Sequence, residues 1–318
     1  MKRIIITALI ALPILTFAQS NKFFRKAIRE TNLNEKINLF TKALELDSKN
    51  LDAYFYRGIA KNDIGDYHGA IVDYSKIIVL NPDADTYYNR GNSRYSLKDF
   101  VGAKNDYGKA FEIDSTFIDA LFSLGCVKYD LGEYEDAVKD FSKVIKKAPN
   151  QSKTYTIRAA AYKALNMPKR ALKDYSFAII AEPNAHNFYN RGVFYMDINH
   201  YQKANIDLST ALRINRNNTF AYFYRGASYL LLGKYNNAIS DFSTALKFDS
   251  TDFDALIGLA LTYYKIGDTT NAKLNLQKAK SILSPEKKIV TVDSFANTYW
   301  FQNQYYYFNN NIQLLLKL

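Results

Sequence analysis

An alanine recurs along this chain at Ala70, Ala103, Ala137, Ala171, Ala204, Ala238 and Ala272, at intervals of 33 or 34 residues. The phase is kept by other positions too. Twelve residues before each alanine stands a small residue: Gly58, Gly91, Gly125, Ala159, Gly192, Gly226 and Ala260. Six before it is an aliphatic (Ile64, Leu97, Leu131, Leu165, Ile198, Leu232, Ile266), and four after it a large apolar (Tyr74, Tyr107, Phe141, Tyr175, Leu208, Phe242, Leu276). The hexapeptide AYFYRG is written twice, at 53–58 and 221–226, 168 residues or five periods apart. A chain with this period is a stack of like units, because a unit of this size cannot bury its apolar face alone.

Each period holds two helix-length segments, such as Ala53–Ile64 and Tyr67–Leu80, joined by a short turn that often carries glycine: Gly65-Asp66, Gly132-Glu133, Gly233-Lys234, Gly267-Asp268. Small residues at Gly58 and Ala70 let two antiparallel helices approach closely, and Tyr74 and Ile77 share one buried stripe. Asn81-Pro82, Ala148-Pro149 and Glu182-Pro183 end second helices, since proline lacks a donor and disfavours helix in the residue before it.

On these residues the stretch 51–283 resembles the tetratricopeptide repeat family, with seven consecutive matches. The resemblance implies an all-α fold, a right-handed α-solenoid of antiparallel helix hairpins with a concave and a convex surface. Residues 19–50 read as a degenerate N-terminal capping repeat: Phe40, Ala43, Leu46 and Asp47 fit a second helix, but Lys36 takes the small-residue place. Residues 284–318 leave the period and are rich in Tyr and Asn, which reads as a helical cap over the last hairpin or as an adhesive, partner-binding tail.

The first eighteen residues, MKRIIITALIALPILTFA, carry Lys2 and Arg3, an apolar stretch Ile4–Leu15 broken by Pro13, and small residues before Gln19. They read as a signal peptide over 1–18, the alternative being an uncleaved anchor, and the mature chain is expected in the periplasm, the cell envelope or the medium. The apolar run falls short of the ~18–20 residues that span a bilayer, and no transmembrane segment is expected in the mature chain. The formal charge is +11, or +9 without Lys2 and Arg3, and no basic run is dense enough for a nucleic-acid surface. Envelope association stays open. Cys126 is the only cysteine, so no intramolecular disulfide can form.

The arginine of AYFYRG has a partner at fixed spacing. Arg57, Arg90, Arg158, Arg191 and Arg225 each precede an aspartate by sixteen residues: Asp73, Asp106, Asp174, Asp207 and Asp241. The seventh unit has lost both, with Leu259 and Asn275 in their places, and only the third keeps the acid alone, Leu124 beside Asp140. Joint loss argues for a structural ion pair inside each unit rather than an anion-binding ladder.

The family resemblance places peptide ligands in the concave groove lined by first helices. Three residues before each small position stand Phe55, Tyr88, Phe122, Thr156, Tyr189, Phe223 and Ile257, of which five are aromatic; Tyr56, Asn89, Asn190 and Tyr224 adjoin them. Aromatic faces beside amides suit an extended peptide. The alternative is that these rings pack against the neighbouring unit. Aromatics fill the place of the key lysine used by chaperone-tail binders of the family, so acidic C-terminal tails are not the expected ligand.

Chemistry has no foothold. His68, His186 and His200 fall at three different repeat phases, and neither G-x-S-x-G nor a P-loop occurs. No metal, cofactor or catalytic activity is expected. The sequence reads as a non-catalytic scaffold for a protein or peptide partner; a structural component of the cell envelope acting through its tail, or a regulatory subunit of an exported enzyme, are the alternatives.

Overall fold

The computed structural model describes residues 2–283 and 291–317, with side chains from Thr16 onward. Met1, residues 284–290 at the start of the expected cap, Leu318, and the side chains of Ile4–Leu15 on which the leader reading rests lie outside the described residues.

All described secondary structure is helical, and consecutive helices pair as hairpins. The chain divides into two compact units, 1–149 and 150–318. Unit 1 contains α1 (Lys2–Arg29), α2 (Leu33–Leu46), α3 (Leu51–Asp63), α4 (Tyr67–Leu80), α5 (Ala84–Ser96), α6 (Phe100–Ile113), α7 (Ile118–Asp130) and α8 (Tyr134–Lys147). Unit 2 contains α9 (Ser152–Ala164), α10 (Pro168–Ala181), α11 (Ala185–Asp197), α12 (Tyr201–Ile214), α13 (Thr219–Leu231), α14 (Tyr235–Phe248), α15 (Phe253–Lys265) and α16 (Thr269–Leu283). A 3-10 turn (Val292–Phe295), α17 (Tyr299–Asn303) and α18 (Tyr305–Leu315) follow. This is an α-solenoid construction, hairpin upon hairpin, within each unit.

Local chemistry sets the boundaries. The helix α3 starts two residues ahead of the segment read from the periodicity, because the Asn50 side chain accepts from the Ala53 N–H at 2.9 Å and caps it there. Asp66 and Asp99 cap α4 and α6 in the same way. At the far end of each first helix one residue turns left-handed: Gly65, Lys98, Gly132, Asn166, Asn199, Gly233 and Gly267, with φ between 54° and 84°. At Gly65 the turn is a Schellman motif, in which the Gly65 N–H donates to Asn62 O and the Asp66 N–H to Lys61 O.

The repeated alanines are fully buried, all seven of them, and the large apolars four residues on, from Tyr74 to Leu276, are buried as well. A Cβ at Gly58 would stand 2.7 Å from the Tyr74 ring, so the close approach of α3 and α4 requires its absence. The Lys36 hairpin is built differently. The backbone of α1 runs unbroken through Ala18–Gln19, and α1 packs on α2 around Ala27, Leu39, Phe40 and Leu44, with the Ser20 hydroxyl donating to Ala43 O at 2.8 Å.

Unit 2 ends on a segment with no period. Phe295, Trp300, Phe308, Ile312 and Leu315 join one continuous core with Leu208, Phe223, Phe242, Ile257 and Leu261. Among the described residues no helix is long and apolar enough to cross a membrane.

Candidate functional site

The structure brings the five arginines and their aspartates together. Nε and Nη2 of each guanidinium grip both carboxylate oxygens, at 2.9 and 2.7 Å in Arg57–Asp73, 2.9 and 2.8 Å in Arg90–Asp106, and 2.7 and 2.8 Å in Arg158–Asp174. Arg191–Asp207 and Arg225–Asp241 have the same two-pronged geometry, at 2.7–2.9 Å. The aspartates are buried and the arginines largely so. The hydrogen bond to Asp207 holds the Arg191 guanidinium above its ordinary pKa.

Two features of this constellation go beyond the spacing of sixteen. The third nitrogen reaches the preceding hairpin: Arg57 Nη1 donates to the Thr41 hydroxyl (3.0 Å), Arg90 to Ser75 (3.0 Å), Arg191 to Ser176 (3.2 Å) and Arg225 to Ser209 (3.4 Å). Each of these arginines therefore ties three helices. The residue four after the arginine also differs by unit. In unit 1 it is a second cation on the acid, Lys61 on Asp73 at 2.9 Å and Arg94 on Asp106 at 2.8 Å. In the third repeat, which has no arginine, Lys128 meets Asp140 at 2.5 Å. In unit 2 the place is taken by Tyr162, Tyr195 and Tyr229, whose rings lie 5.7–5.9 Å from the guanidinium carbons. A polar or aromatic residue one turn along the helix was the signal available for this in the sequence. With Nε and Nη2 of all five guanidinia held by the aspartate of their own hairpin, the geometry is that of a brace between its two helices.

The aromatic row is placed unevenly. In unit 1, Phe55, Tyr88 and Phe122 are half-buried. One side of each ring meets the large apolar residue of its own hairpin, at 6.1 Å (Tyr74), 5.7 Å (Tyr107) and 5.8 Å (Phe141). Tyr56 is 42% exposed, stacked on Phe40 at 6.2 Å, and the Asn89 amide donates back to Asp85 O. A cleft of about 220 Å³ lies beside Tyr56, lined by Ile28, Lys36, Phe40, Ile59 and Asp63 among others.

In unit 2 the row is covered at Phe223 and Ile257. Phe223 is only 7% exposed, because Tyr299 (5.1 Å) and Trp300 (6.1 Å) of the C-terminal segment lie against it. Tyr224 meets Tyr299 at 5.4 Å and Tyr189 at 6.0 Å, and Ile257 is fully buried. Thr156 hydrogen-bonds within its own helix, to Ser152 O. Asn190 is half-buried beside Tyr189. The expectation of an open groove is therefore corrected at Phe223, which the chain itself covers, while Tyr224 is half-buried and borders a cleft.

No grouping of three or more His, Cys, Asp or Glu side chains suited to a metal occurs among the described residues.

Comparison with known proteins places this arrangement. Models of the tetratricopeptide repeat match residues 84–117 and 118–151 in unit 1 and 228–267 and 254–282 in unit 2. A search of curated proteins gives no match. Among solved structures, the C-terminal part of a TPR repeat-containing protein from Cytophaga hutchinsonii is similar with a TM-score of 0.62 at 16% identity, over 74% of this chain and 96% of that one. A tetratricopeptide repeat protein from Parabacteroides merdae gives 0.57 at 17% identity, over 84% and 99%. The MamA protein gives 0.50 at 24% identity, over 53% and 92%. These likenesses are of fold. With the hairpin period, the seven buried alanines and the repeat matches together, the chain belongs to the tetratricopeptide repeat family.

Proposed function

We propose that the protein is an exported, non-catalytic interaction scaffold that holds a peptide segment or partner surface on the first-helix face of its hairpins. The observation that carries this reading is the placement of Phe55, Tyr88 and Phe122 in unit 1. Each ring is anchored by its own hairpin, Tyr88 also by Phe117 of the next at 4.8 Å, and keeps part of its surface outside the core. Fixed, partly exposed aromatics present apolar area at little cost in side-chain entropy, which is what a recognition surface needs. Export follows from the basic and then apolar N-terminal stretch.

Replacing Phe55, Tyr88 and Phe122 together by Ala tests the assignment. Crosslinking in the native cells should capture a partner with the wild type and lose it with the variant, while circular dichroism shows helicity retained. Undiminished capture would remove the groove from unit 1. An envelope-assembly role through an adhesive tail has less support, because the large side chains Phe295, Trp300, Phe308 and Ile312 of that segment are buried in unit 2.

A further inference from the structure

The C-terminal segment lies on unit 2 as a bound peptide would. Tyr299 and Trp300 set their rings against Phe223, and Trp300 reaches Phe242 at 6.1 Å. Two donors fix it to one residue: the Tyr299 N–H donates to Asp254 Oδ1 at 2.9 Å and the Trp300 indole N–H to Asp254 O at 2.8 Å. Aromatic side chains seated on an apolar face, with main-chain and indole donors anchored at one point, are the terms on which a helical groove holds a peptide from another chain.

Three observations set this segment apart from permanent core. The buried side-chain polar atoms without a well-formed hydrogen bond, among the described residues, are Tyr299 Oη, Gln304 Nε2 and Tyr307 Oη, all on this segment. Core built to stay closed satisfies such groups. Asp254 is a second: its half-buried carboxylate accepts from the Tyr299 main-chain N–H, and no cation pairs with it among the described residues, an arrangement that a ligand bringing positive charge would improve. The third is space. A cleft of about 510 Å³ continues from Tyr299 along Phe220, Tyr224, Asp249, Asp252 and Asp254, so the site is larger than the part the segment fills and three aspartates line it.

We propose that the face formed by Phe223, Tyr224 and Asp254 is a recognition site for a partner peptide carrying two adjacent aromatic residues flanked by a basic one, and that Tyr299 and Trp300 occupy it in cis until such a peptide displaces them. This rests on the reading of the first-helix face as a peptide surface, but it concerns unit 2 alone. Its test does not involve Phe55, Tyr88 or Phe122, so either assignment can fail while the other stands.

The test uses the full chain and a fluorescein-labelled synthetic peptide of sequence GKYWFQNQ, followed by fluorescence anisotropy. The Tyr299→Ala/Trp300→Ala variant should bind it at least tenfold more tightly than the wild type. Adding Asp254→Ala should remove that gain, and a scrambled peptide should not show it. Equal affinity of the variant and the wild type would overturn the proposal. Should the variant fail to fold, hydrogen exchange on the wild type decides: saturating unlabelled peptide should speed exchange of amides 299–308 while α13 and α15 stay protected. Amides 299–308 that open only together with α13 and α15, peptide or none, would overturn it. A stable dimer formed by exchange of the segment would replace the partner with a second copy of the chain and overturn it equally.

Discussion

At the scale of single residues, the ion pairs of the two units differ in what stands behind them. Removing Arg57 leaves Asp73 with Lys61 still 2.9 Å away, whereas Asp207 has Arg191 as its cation and a tyrosine, Tyr195, where the second cation would be. A buried carboxylate stripped of its partner costs about 3–5 kcal/mol. Arg191→Ala should therefore lose that amount in urea unfolding, and Arg57→Ala roughly half of it; equal losses would mean that Lys61 does not share the charge. A second prediction lies at the left-handed turn. Lys98 holds φ at 61° where four of the other repeats use glycine, and a side chain there costs about 1–2 kcal/mol, partly offset by the greater freedom of glycine when unfolded. Lys98→Gly should raise stability by roughly 0.5–1 kcal/mol by thermal denaturation. The Arg–Asp spacing was legible in the sequence because both partners keep phase. The serine and threonine hydroxyls were less so, since Thr41, Ser75, Ser176 and Ser209 stand at fifteen or sixteen residues before their arginines.

At the scale of elements, the two copies of AYFYRG show where local reading ends. Phe55 and Phe223 have identical neighbours for six residues, form equivalent helices and meet equivalent rings, Tyr74 and Phe242. One is half-buried and the other is closed over, because a segment some seventy residues downstream returns to Phe223. Hairpins were legible from their period; the return of 291–317 has no period and no homologous unit to compare with. That return should be sensitive to pH. Burial, reinforced by Asp252, pushes the Asp254 carboxyl up to about 7, against the lowering effect of hydrogen bonds from Tyr299 and Trp300. Tyr224 and Tyr299 also face this site, and burial holds both above their ordinary range, so they stay neutral. With the segment released, Asp254 returns toward about 4. The docked state thus binds a proton more tightly than the released one, so docking is strongest below about pH 4 and weakens as pH rises to about 7. Amides 299–308 should exchange faster at pH 8 than at pH 5 once intrinsic rates are removed, and Asp254→Asn, which keeps the acceptor, should flatten the difference. A wild type without the difference would place the Asp254 proton elsewhere.

At the scale of the whole molecule, stability in such a chain is a sum of hairpin terms and nearest-neighbour interfaces. A substitution should then be felt in its own hairpin and the next, and fade along the sequence. The protein offers a direct reading of this, because its one tryptophan, Trp300, is fully buried in the core of unit 2. Fluorescence therefore follows the α13–α15 core, while circular dichroism follows every helix. Tyr74→Ala empties a fully buried site in the second hairpin of unit 1 and should cost about 3–5 kcal/mol there. Phe242→Ala removes a ring that touches both Phe223 and Trp300, at a similar cost of about 3–5 kcal/mol. In guanidinium titrations the first should pull part of the dichroism transition to lower denaturant and leave the fluorescence midpoint in place; the second should move the fluorescence midpoint. If Tyr74→Ala shifts both signals together, the chain unfolds as a single cooperative body and the nearest-neighbour account of its stability is wrong.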